Sequence, residues 1–257
     1  MKPMIEYGLI GETLGHSYSK LIHEQLADYS YQLIPLSKED FPRFMKERGF
    51  RGINVTIPYK QAVLPYLDVI DPAAAAIGAV NTIVNRDGKL YGYNTDYLGF
   101  LDTISRNQIK IKEKKVLVLG NGGAAKAVWA ALSSLQPSAL LTVKYKEEPG
   151  VLTYAQAALL HADADVIVNT SPVGMFPHVL DCPIDLTPYS ALSAVVDIIY
   201  NPPVTALLAK AKERGITAVN GLWMLVAQAN YAVRLFTGTD GGDTKMLEFI
   251  CETLLSS

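Results

Sequence analysis

The chain has 257 residues, 49% hydrophobic and 19% charged, which is enough for one large domain or two modest ones. Its 23 basic and 25 acidic side chains give a net charge of −2, so no general attraction draws it to nucleic acid or anionic membranes. Cys182 and Cys251 are too few for a disulfide framework or a four-ligand zinc site. The sequence shows no signal-peptide core and no run of about 18 apolar residues, so we expect a cytoplasmic protein outside the membrane.

The first part of the chain alternates short apolar runs with helical patterns. Its predicted elements are a strand at 6–10, a helix at 20–29, a strand at 31–35, a helix at 40–48, a strand at 52–58 and a hairpin of 79–85 with 89–93. Ser37 is the expected cap of the second helix, and Asp87-Gly88 is the expected hairpin turn. Such alternation favours a largely parallel sheet.

The second part begins after a helix at 98–106 and a polar linker at 109–114. Its predicted elements are strands at 115–119, 139–144, 165–169, 194–199 and 216–220, helices at 124–135, 153–161 and 205–214, and two further helices from Met224 onward, broken around 237–242. The strand at 115–119 is a short run of valine and leucine, which is typical of a strand buried on both faces. A second α/β unit is therefore expected.

The most specific motif is the glycine-rich turn Gly120-Asn121-Gly122-Gly123, which connects a buried strand to a helix. This order places a pyrophosphate on a helix N-terminus. Gly120 permits the tight turn, while Gly122 and Gly123 allow the backbone to approach the ligand. A generic strand-to-helix turn is the alternative interpretation.

A polar cluster follows from the strand at 52–58. Alternation predicts one face shared by three apolar side chains, those of Ile53, Val55 and Ile57. Asn54 and Thr56 share the other face, and Lys60 follows a proline that bends the chain away from the sheet. An amide, a hydroxyl and an amine would then line one rim, unless this is an ordinary strand with a solvated face.

Other polar residues repeat this theme. Asn81 ends an apolar stretch, Asp96 lies where the two parts join, and Ser17 and Ser19 place two hydroxyls on one side of an extended chain. Paired hydroxyls suit a small carboxylate or a polyol, although each residue also suits turn chemistry. No metal is expected, because no ligand spacing links the four histidines, His16, His23, His161 and His178.

Taken together, these motifs resemble the shikimate dehydrogenase family over nearly the whole chain. The matching segments are 16–19, 52–58 with Lys60, 78–82, 92–96, 120–123, 169–175, 197–202 and 221–228. The resemblance implies a two-domain α/β fold. Residues 1–98, completed by C-terminal helices in 225–257, would form a substrate-binding catalytic domain, and 99–224 a Rossmann-like NAD(P)-binding domain.

The resemblance also implies the activity and its residues. The enzyme would reversibly reduce 3-dehydroshikimate to shikimate in chorismate and aromatic amino acid biosynthesis, as a monomer or homodimer. Lys60 and Asp96 would be the catalytic pair, and Ser17 and Ser19 would hold the substrate carboxylate. The implied substrate-binding residues are Ser17, Ser19, Asn54, Thr56, Asn81, Asp96, Tyr200 and Gln228. The implied cofactor-binding residues are Gly120, Asn121, Gly122, Gly123, Ala124, Lys144, Lys146, Thr170, Met175, Ile198, Gly221 and Met224.

The chain departs from the family pattern on the cofactor side. The family usually carries an arginine for the 2′-phosphate of NADP after the second strand of the Rossmann domain, and residues 142–150 contain none. The segment holds both bases and acids there: Lys144, Lys146, Glu147 and Glu148. Because a basic residue accommodates NADP and an acidic one favours NAD, we expect NADP with NAD as the alternative.

The same segment is also unusually short. Only the four residues 147–150 separate Lys146 from Val151, whereas a parallel crossover needs a dozen or more. A strand at 151–154 would therefore form a hairpin with the preceding strand, turned at Pro149-Gly150, and the helix expected between these strands would be missing. This predicts a loose cofactor site. An NAD-dependent quinate/shikimate dehydrogenase, or a shikimate-binding relative with impaired dinucleotide binding, are the alternatives.

Overall fold

The computed structural model describes residues 5–15 and 17–256. The chain divides into two compact units, one formed by the residues up to Gly99 together with those from Val226 onward, and the other by Phe100–Leu225. Each unit is built around its own six-stranded sheet. The two sheets differ in the direction of their strands.

Strands and helices alternate along much of the chain. The strands are β1 (Ile5–Gly11), β2 (Tyr31–Pro35), β3 (Phe50–Val55), β4 (Val69–Ile70), β5 (Thr82–Arg86), β6 (Lys89–Tyr93), β7 (Lys115–Leu119), β8 (Ala139–Lys144), β9 (Leu152–Thr153), β10 (Val166–Asn169), β11 (Ala194–Asp197) and β12 (Thr217–Val219). The helices are α1 (Ser19–Leu26), α2 (Phe41–Glu47), α3 (Tyr59–Ala62), α4 (Pro72–Ile77), α5 (Thr95–Arg106), α6 (Gly123–Ser134), α7 (Tyr154–Leu160), α8 (Ala206–Glu213), α9 (Leu222–Thr237) and α10 (Thr244–Ser256).

The sheet of the first unit is mixed. Its strand order is β2-β1-β3-β5-β6-β4, with β1 parallel to β2 and β3, and β5 antiparallel to β3 and β6. The β5–β6 hairpin is confirmed, and it turns at Asp87 and Gly88, whose φ angles are 51° and 83°. This hairpin reverses the chain direction, so the expectation of a largely parallel sheet holds only for part of the unit.

The strand β3 ends earlier than the sequence predicts. Ile53 and Val55 are buried, but Ile57 is 71% exposed, so the prediction that it shares their face was wrong. Alternation continues only while the chain stays in the ladder, and the chain leaves it after Val55. The Thr56 N–H still donates to the carbonyl of Ile10 at 2.9 Å, which keeps Thr56 beside the end of β1.

The start of α2 also differs from the prediction. Asp40 precedes the helix, and Ser37 does not cap it. The hydroxyl of Ser37 instead accepts a hydrogen bond from the Asp40 N–H at 3.1 Å, which closes the turn just before the helix. Ser37 therefore stabilises the turn that precedes α2 and does not cap the helix itself.

The second half of α9 completes the packing of the first unit. Phe236 stacks on Tyr7 with ring centroids 5.0 Å apart, and its carbonyl accepts a hydrogen bond from the Tyr7 hydroxyl at 3.2 Å. A Cβ at Gly52 of β3 would lie 2.5 Å from the Phe236 ring, so this glycine makes room for it. A residue from the end of the chain thus fills a space on the N-terminal sheet.

The sheet of the second unit is parallel throughout. Its order is β12-β11-β10-β7-β8-β9, which in unit numbering is the 3-2-1-4-5-6 order of dinucleotide-binding folds read from its far edge. The central strand β7 has four consecutive fully buried residues, Val116, Leu117, Val118 and Leu119. These side chains cover both faces of the strand, as expected where helices pack on either side of a parallel sheet.

The connection from β8 to β9 corrects one prediction and confirms another. No helix occurs within residues 145–151, as expected. However, β9 pairs with β8 in parallel, with Val143 opposite Leu152 and Lys144 opposite Thr153, so the predicted hairpin was wrong. Because β9 has only two residues, the chain needs to travel back only about 7 Å along the sheet, and a loop suffices.

Candidate active site and dinucleotide site

The predicted substrate residues of the first unit lie near one end of its sheet. Thr82 is opposite both Asn54 of β3 and Tyr93 of β6. Asn81 therefore directly precedes β5 at the end where β3 and β6 finish, and Asp96 follows β6 closely. The antiparallel strand β5 is what brings these segments together.

Lys60 and Asp96 form a close ion pair. The Lys60 Nζ donates to Asp96 Oδ2 at 2.6 Å, and the two side chains are only 16% and 12% exposed. Asp96 lies in the first turn of α5, where the helix N-terminus favours a negative charge. The Lys60 carbonyl accepts from the Val80 N–H at 2.8 Å, which joins α3 to the segment leading to Asn81. The pair presents an ammonium with a fixed direction.

Asn81 is held by two threonines. Its Oδ1 accepts from the Thr95 N–H at 2.7 Å and from the Thr82 hydroxyl at 3.1 Å, and its Nδ2 donates to the Thr95 hydroxyl at 3.0 Å. Within the described residues this leaves one amide hydrogen of Asn81 for another acceptor. Since Thr95 begins α5, the same network fixes the start of the helix that carries Asp96.

Asn54 is more completely engaged. Its Nδ2 donates to the Thr82 hydroxyl at 3.0 Å and to the Asn81 carbonyl at 3.3 Å, and its Oδ1 accepts from the Tyr31 hydroxyl at 2.7 Å. Both amide hydrogens are used among the described residues, so Asn54 offers a further ligand chiefly an acceptor lone pair. The tyrosine therefore fixes which way this amide faces.

A buried histidine lies behind this network. His23 stacks on Tyr31 with ring centroids 4.0 Å apart, and its Nδ1 shares a 2.6 Å hydrogen bond with the Tyr29 hydroxyl. Burial lowers the pKa of His23 to about 3, so the ring is neutral near pH 7. Burial also raises the pKa of Tyr31 well above its usual value, so its hydroxyl stays a donor.

The serine segment begins close to the same end of the sheet. A Cβ at Gly11, the last residue of β1, would lie 2.6 Å from the Thr56 methyl and 2.8 Å from Leu14. The Leu14 carbonyl accepts from the Ser17 N–H at 3.2 Å, and the Ser17 hydroxyl accepts from the Ser19 N–H at 3.2 Å. Both serines are partly exposed at the start of α1, and His16 lies outside the described residues.

Gln228 and Tyr200 fall in different units. Gln228 lies on α9, and its Oε1 is 3.4 Å from the Thr95 hydroxyl of the first unit. Tyr200 follows β11 in the second unit and is partly exposed. The first-unit cluster therefore includes Gln228, and the role of Tyr200 remains a prediction.

The glycine-rich turn lies at the carboxyl end of β7, between the neighbouring strands β10 and β8. Gly120 has a φ of 95°, and a Cβ there would lie 3.2 Å from the Thr170 hydroxyl. A Cβ at Gly122 or Gly123 would meet nothing within 4 Å, and no side chain caps the N-terminus of α6. Uncovered helix N–H groups beside open space fit a dinucleotide pyrophosphate.

Lys144 ends β8 beside this turn. The Gly120 N–H donates to the Val143 carbonyl at 2.9 Å, so Lys144 directly follows a residue in contact with the turn. Its Nζ is 2.5 Å from Glu148 Oε1. Lys146 is exposed in the following loop. The first cation after β8 is thus paired with an acid from its own loop.

The other predicted cofactor residues follow the remaining strands of the second unit. Thr170 is buried after β10, and its hydroxyl donates to the Leu119 carbonyl at 2.7 Å. Met175 is 46% exposed, whereas Met224 is buried in α9. A Cβ at Gly221 would lie 1.9 Å from the Ile198 carbonyl oxygen, so these two backbones meet in a way that excludes any side chain.

A buried carboxylate secures this part of the second unit. Asp197 accepts hydrogen bonds from Asn169 Nδ2 at 3.0 Å, the Thr205 hydroxyl at 2.8 Å and the Ile199 N–H at 3.1 Å. Burial raises its pKa to about 6, although these donors oppose the shift. Asp197 therefore ties the ends of β10 and β11 to the start of α8.

Three polar residues of the first-unit network were not assigned from the sequence. Thr82 and Thr95 lie inside the quoted asparagine motifs, and their position next to Asn81 and Asp96 was an available signal. Tyr31 carried no such signal, because an aromatic residue at the start of a strand is typical of a core position. In the part of the chain that the structure describes, no group of three or more potential metal ligands occurs. No helix there has the length and apolar character needed to span a membrane.

Known proteins resemble this chain along most of its length. The model of the shikimate dehydrogenase substrate binding domain matches residues 9–83. A shikimate dehydrogenase (NADP(+)) from Clostridium beijerinckii is 41% identical over 240 residues, covering 87% of this chain and 88% of its own. The shikimate 5-dehydrogenase of Thermus thermophilus in complex with NADP(H) and shikimate is 31% identical, with a TM-score of 0.86 and coverage of 97% and 99%. A quinate dehydrogenase from Corynebacterium glutamicum in complex with NAD is 30% identical, with a TM-score of 0.87 and coverage of 98% and 99%.

Proposed function

Because this chain belongs to the shikimate dehydrogenase family, we propose that it catalyses the reversible, NADP-dependent reduction of 3-dehydroshikimate to shikimate. This reaction is a step of chorismate and aromatic amino acid biosynthesis. The observation that carries the proposal is the Lys60–Asp96 pair, with its 2.6 Å contact and low exposure. Reduction of a ketone requires a proton donor for the developing alkoxide, and an oriented, largely buried ammonium can serve as one.

Lys60 acts as the proton donor. NADPH, when bound, supplies a hydride to the carbonyl carbon of the substrate. The carbonyl oxygen then gains negative charge, and the Lys60 ammonium stabilises this charge and transfers a proton to it. Asp96 accepts a hydrogen bond from Lys60 Nζ and holds the amine in one direction. In the reverse reaction the neutral amine accepts the proton of the shikimate hydroxyl.

The surrounding polar residues bind the substrate. Ser17 and Ser19 hold the carboxylate through their hydroxyls. Five further residues surround the ring hydroxyls, namely Asn54, Thr56, Asn81, Asp96 and Gln228, and Tyr200 stays a predicted substrate residue. The partners that Asn54 and Asn81 already have make their remaining hydrogen-bonding groups directional, which suits a ligand carrying several hydroxyls.

The second unit binds NADP through its backbone. The turn from Gly120 to Gly123 and the N-terminus of α6 hold the pyrophosphate, supported by Asn121 and Ala124. Lys144 and Lys146 are the basic residues available to the 2′-phosphate. Residues of the loops after β10, β11 and β12 complete the site, namely Thr170, Met175, Ile198, Gly221 and Met224.

A second candidate is an NAD-dependent quinate/shikimate dehydrogenase. The observation that favours it is the acidic partner of Lys144 at the end of β8, since an acid near this position suits the ribose hydroxyl of NAD. The similar TM-scores of the NADP and NAD complexes do not separate the two candidates. We keep NADP and shikimate as the primary proposal and place the enzyme in the cytoplasm as a monomer or homodimer.

One assay tests both candidates. Purified protein is given shikimate or quinate with NADP⁺ or NAD⁺, and reduction of the cofactor is followed by absorbance. We expect the highest kcat/KM for shikimate with NADP⁺. The highest kcat/KM for quinate with NAD⁺ would favour the second candidate. Calorimetric binding of shikimate without turnover of either cofactor would indicate a shikimate-binding relative with impaired dinucleotide binding.

A further inference from the structure

Glu148 has no part in the reaction described above, yet it contacts a residue assigned to the cofactor. Its Oε1 lies 2.5 Å from Lys144 Nζ, and the two side chains are 43% and 21% exposed. Lys144 ends β8 one residue after the Val143 carbonyl that Gly120 contacts. The pair therefore stands beside the glycine-rich turn, at the strand end that reads the adenosine ribose in dinucleotide-binding folds.

The backbone holds Glu148 in this place. Glu148 and Val151 form an antiparallel bridge, with the Val151 N–H donating to the Glu148 carbonyl at 3.1 Å. Between them, Pro149 precedes Gly150, whose φ is 76°, the sequence and geometry of a type II turn. This turn occupies the place of the missing helix and returns the chain toward β9. The short connection thus places the Glu148 carboxylate next to Lys144, the last residue of β8.

We propose that Glu148 is a specificity-determining residue that weakens the preference for NADP by occupying the Lys144 ammonium. This inference rests on the proposed function. A 2′-phosphate carries about −1.5 to −2 charges near neutral pH, so it must compete with Glu148 for Lys144 and is also repelled by it. NAD has a hydroxyl at this position, which carries no charge and can donate to a carboxylate. Glu148 therefore penalises NADP and not NAD.

Calorimetric titration of the protein without substrate measures this effect directly. Glu148→Gln keeps the shape of the side chain and removes its charge, and we expect the Kd for NADP⁺ to fall about fivefold or more. The Kd for NAD⁺ should not fall. In the Lys144→Gln background, Glu148→Gln should no longer lower the Kd for NADP⁺, because the ammonium that would be released from Glu148 is absent. On the same substitution, the Kd for adenosine 2′,5′-bisphosphate should fall as it does for NADP⁺, and the Kd for adenosine 5′-monophosphate should not fall, as for NAD⁺.

Glu147→Gln is the matched control. It removes the same charge from the neighbouring exposed position, and it should change the Kd for NADP⁺ by less than about twofold. Equal tightening by Glu147→Gln and Glu148→Gln would show general repulsion and overturn the inference. An unchanged NADP⁺ affinity in Glu148→Gln, or tightening that persists in the Lys144→Gln background, would overturn it as well.

The result is separable from the fate of the proposed function. If the wild-type protein binds neither NADP⁺ nor NAD⁺, the cofactor assignment itself fails. If it binds NADP⁺ and Glu148→Gln leaves the affinity unchanged, only the role of Glu148 fails. If Lys146→Gln weakens NADP⁺ binding and Lys144→Gln does not, then Lys146 binds the 2′-phosphate, and the role of Glu148 is overturned as well.

Discussion

The two units of this chain build their sites from different materials. In the first unit the candidate site consists of side chains that hold one another, as in the Lys60–Asp96 pair and the threonines around Asn81. In the second unit the part of the candidate site that would hold the pyrophosphate consists of backbone groups and of positions without side chains, such as Gly122, and Gly221 keeps two backbone segments close together. A small polyhydroxylated substrate must be recognised group by group, whereas a pyrophosphate needs N–H groups and room. We therefore expect the first site to lose activity when a side chain is removed, and the glycine positions of the second site to lose stability or cofactor binding when a side chain is added.

The largest expected effect tests the side-chain chemistry of the first unit. Lys60→Ala removes the proton donor and leaves Asp96 without its partner, so kcat should fall by about 10² to 10⁴-fold, the usual scale of general acid–base catalysis. Steady-state kinetics with shikimate and NADP⁺ measures this. Lys46→Ala, which removes an exposed lysine from α2, should leave kcat unchanged. Activity of Lys60→Ala within a few-fold of wild type would contradict the assignment.

The next effect tests the missing side chains of the second unit. In Gly221→Ala the new Cβ would lie 1.9 Å from the Ile198 carbonyl oxygen, so the backbone must shift. We expect a loss of about 3 kcal/mol in unfolding free energy, at the upper end of overpacking costs. Urea denaturation measures it.

Gly122→Ala supplies the contrast within the same unit. Its Cβ meets nothing within 4 Å and its φ is −69°, so the free protein should lose at most about 1 kcal/mol of stability, the cost of alanine at a helix N-cap. The added methyl group should still obstruct the pyrophosphate and raise the Kd for NADP⁺ about tenfold, or about 1.4 kcal/mol. A loss of stability in Gly122→Ala as large as that in Gly221→Ala, with unchanged NADP⁺ affinity, would contradict the comparison.

A third effect compares the two units through pH. His23 has a folded-state pKa of about 3, below its ordinary value of 6.5, so the unfolded state binds the extra proton between these pH values. Its contribution to stability is complete above pH 6.5 and is lost as the pH falls, by about 2 kcal/mol between pH 7 and 5. Asp197 of the second unit has the opposite sign, because its folded-state pKa of about 6 is raised, so its contribution is lost as the pH rises toward 6.

Hydrogen exchange at pH 7 and 5 resolves this effect by unit. The first unit should lose protection on acidification, and His23→Phe, which keeps an aromatic ring against Tyr31, should reduce that loss. His178→Phe removes an exposed histidine from the second unit and should behave like the wild type. A loss of protection in the first unit that is equal in wild type and His23→Phe would contradict the role of His23.

The smallest expected effect tests whether substrate binding depends on the orientation of the Asn54 side-chain amide. Tyr31→Phe removes the hydrogen bond to Asn54 Oδ1, worth about 1 kcal/mol or roughly fivefold in KM for shikimate, with less effect on kcat. Tyr7→Phe is the matched control, because it removes a buried hydroxyl bonded to the Phe236 carbonyl instead. Equal changes in KM for both variants would show that Tyr31 contributes only to the stability of the fold and does not orient Asn54 for the substrate.

The sequence predicted the elements well where a local pattern decides the structure. The glycine-rich turn, the β5–β6 hairpin and the buried strand β7 all carry their signals within a few residues. The helix α4 was not predicted, although the sequence carries a local signal for it: Asp71 caps the helix and Pro72 is its first residue. The direction of β9 depended instead on strand length, because a two-residue strand escapes the crossover rule that applies to longer ones.

The candidate site divides in the same way. Motifs identified Lys60 and Asp96, and the structure shows their 2.6 Å contact. The hydrogen bond from Tyr31 to Asn54 and the ion pair of Glu148 with Lys144 were not predicted. The first joins separate strands, and the second depends on the course of a loop. The first contact is set by tertiary structure and the second by the backbone of a non-helical loop, so the spacing of the residues in the sequence predicts neither.

The packing of Phe236 against Gly52 and Tyr7 has a consequence for the order in which the chain is made. A ribosome releases β1 through β6 first, yet the space on this sheet that Phe236 fills stays open until α9 has been synthesised. By then every residue of the second unit has been synthesised, and that unit is one uninterrupted stretch of chain. Domains generally fold as units during synthesis. The second unit can therefore complete its folding first, while the sheet of the first unit keeps apolar surface exposed until Phe236 is available to cover it.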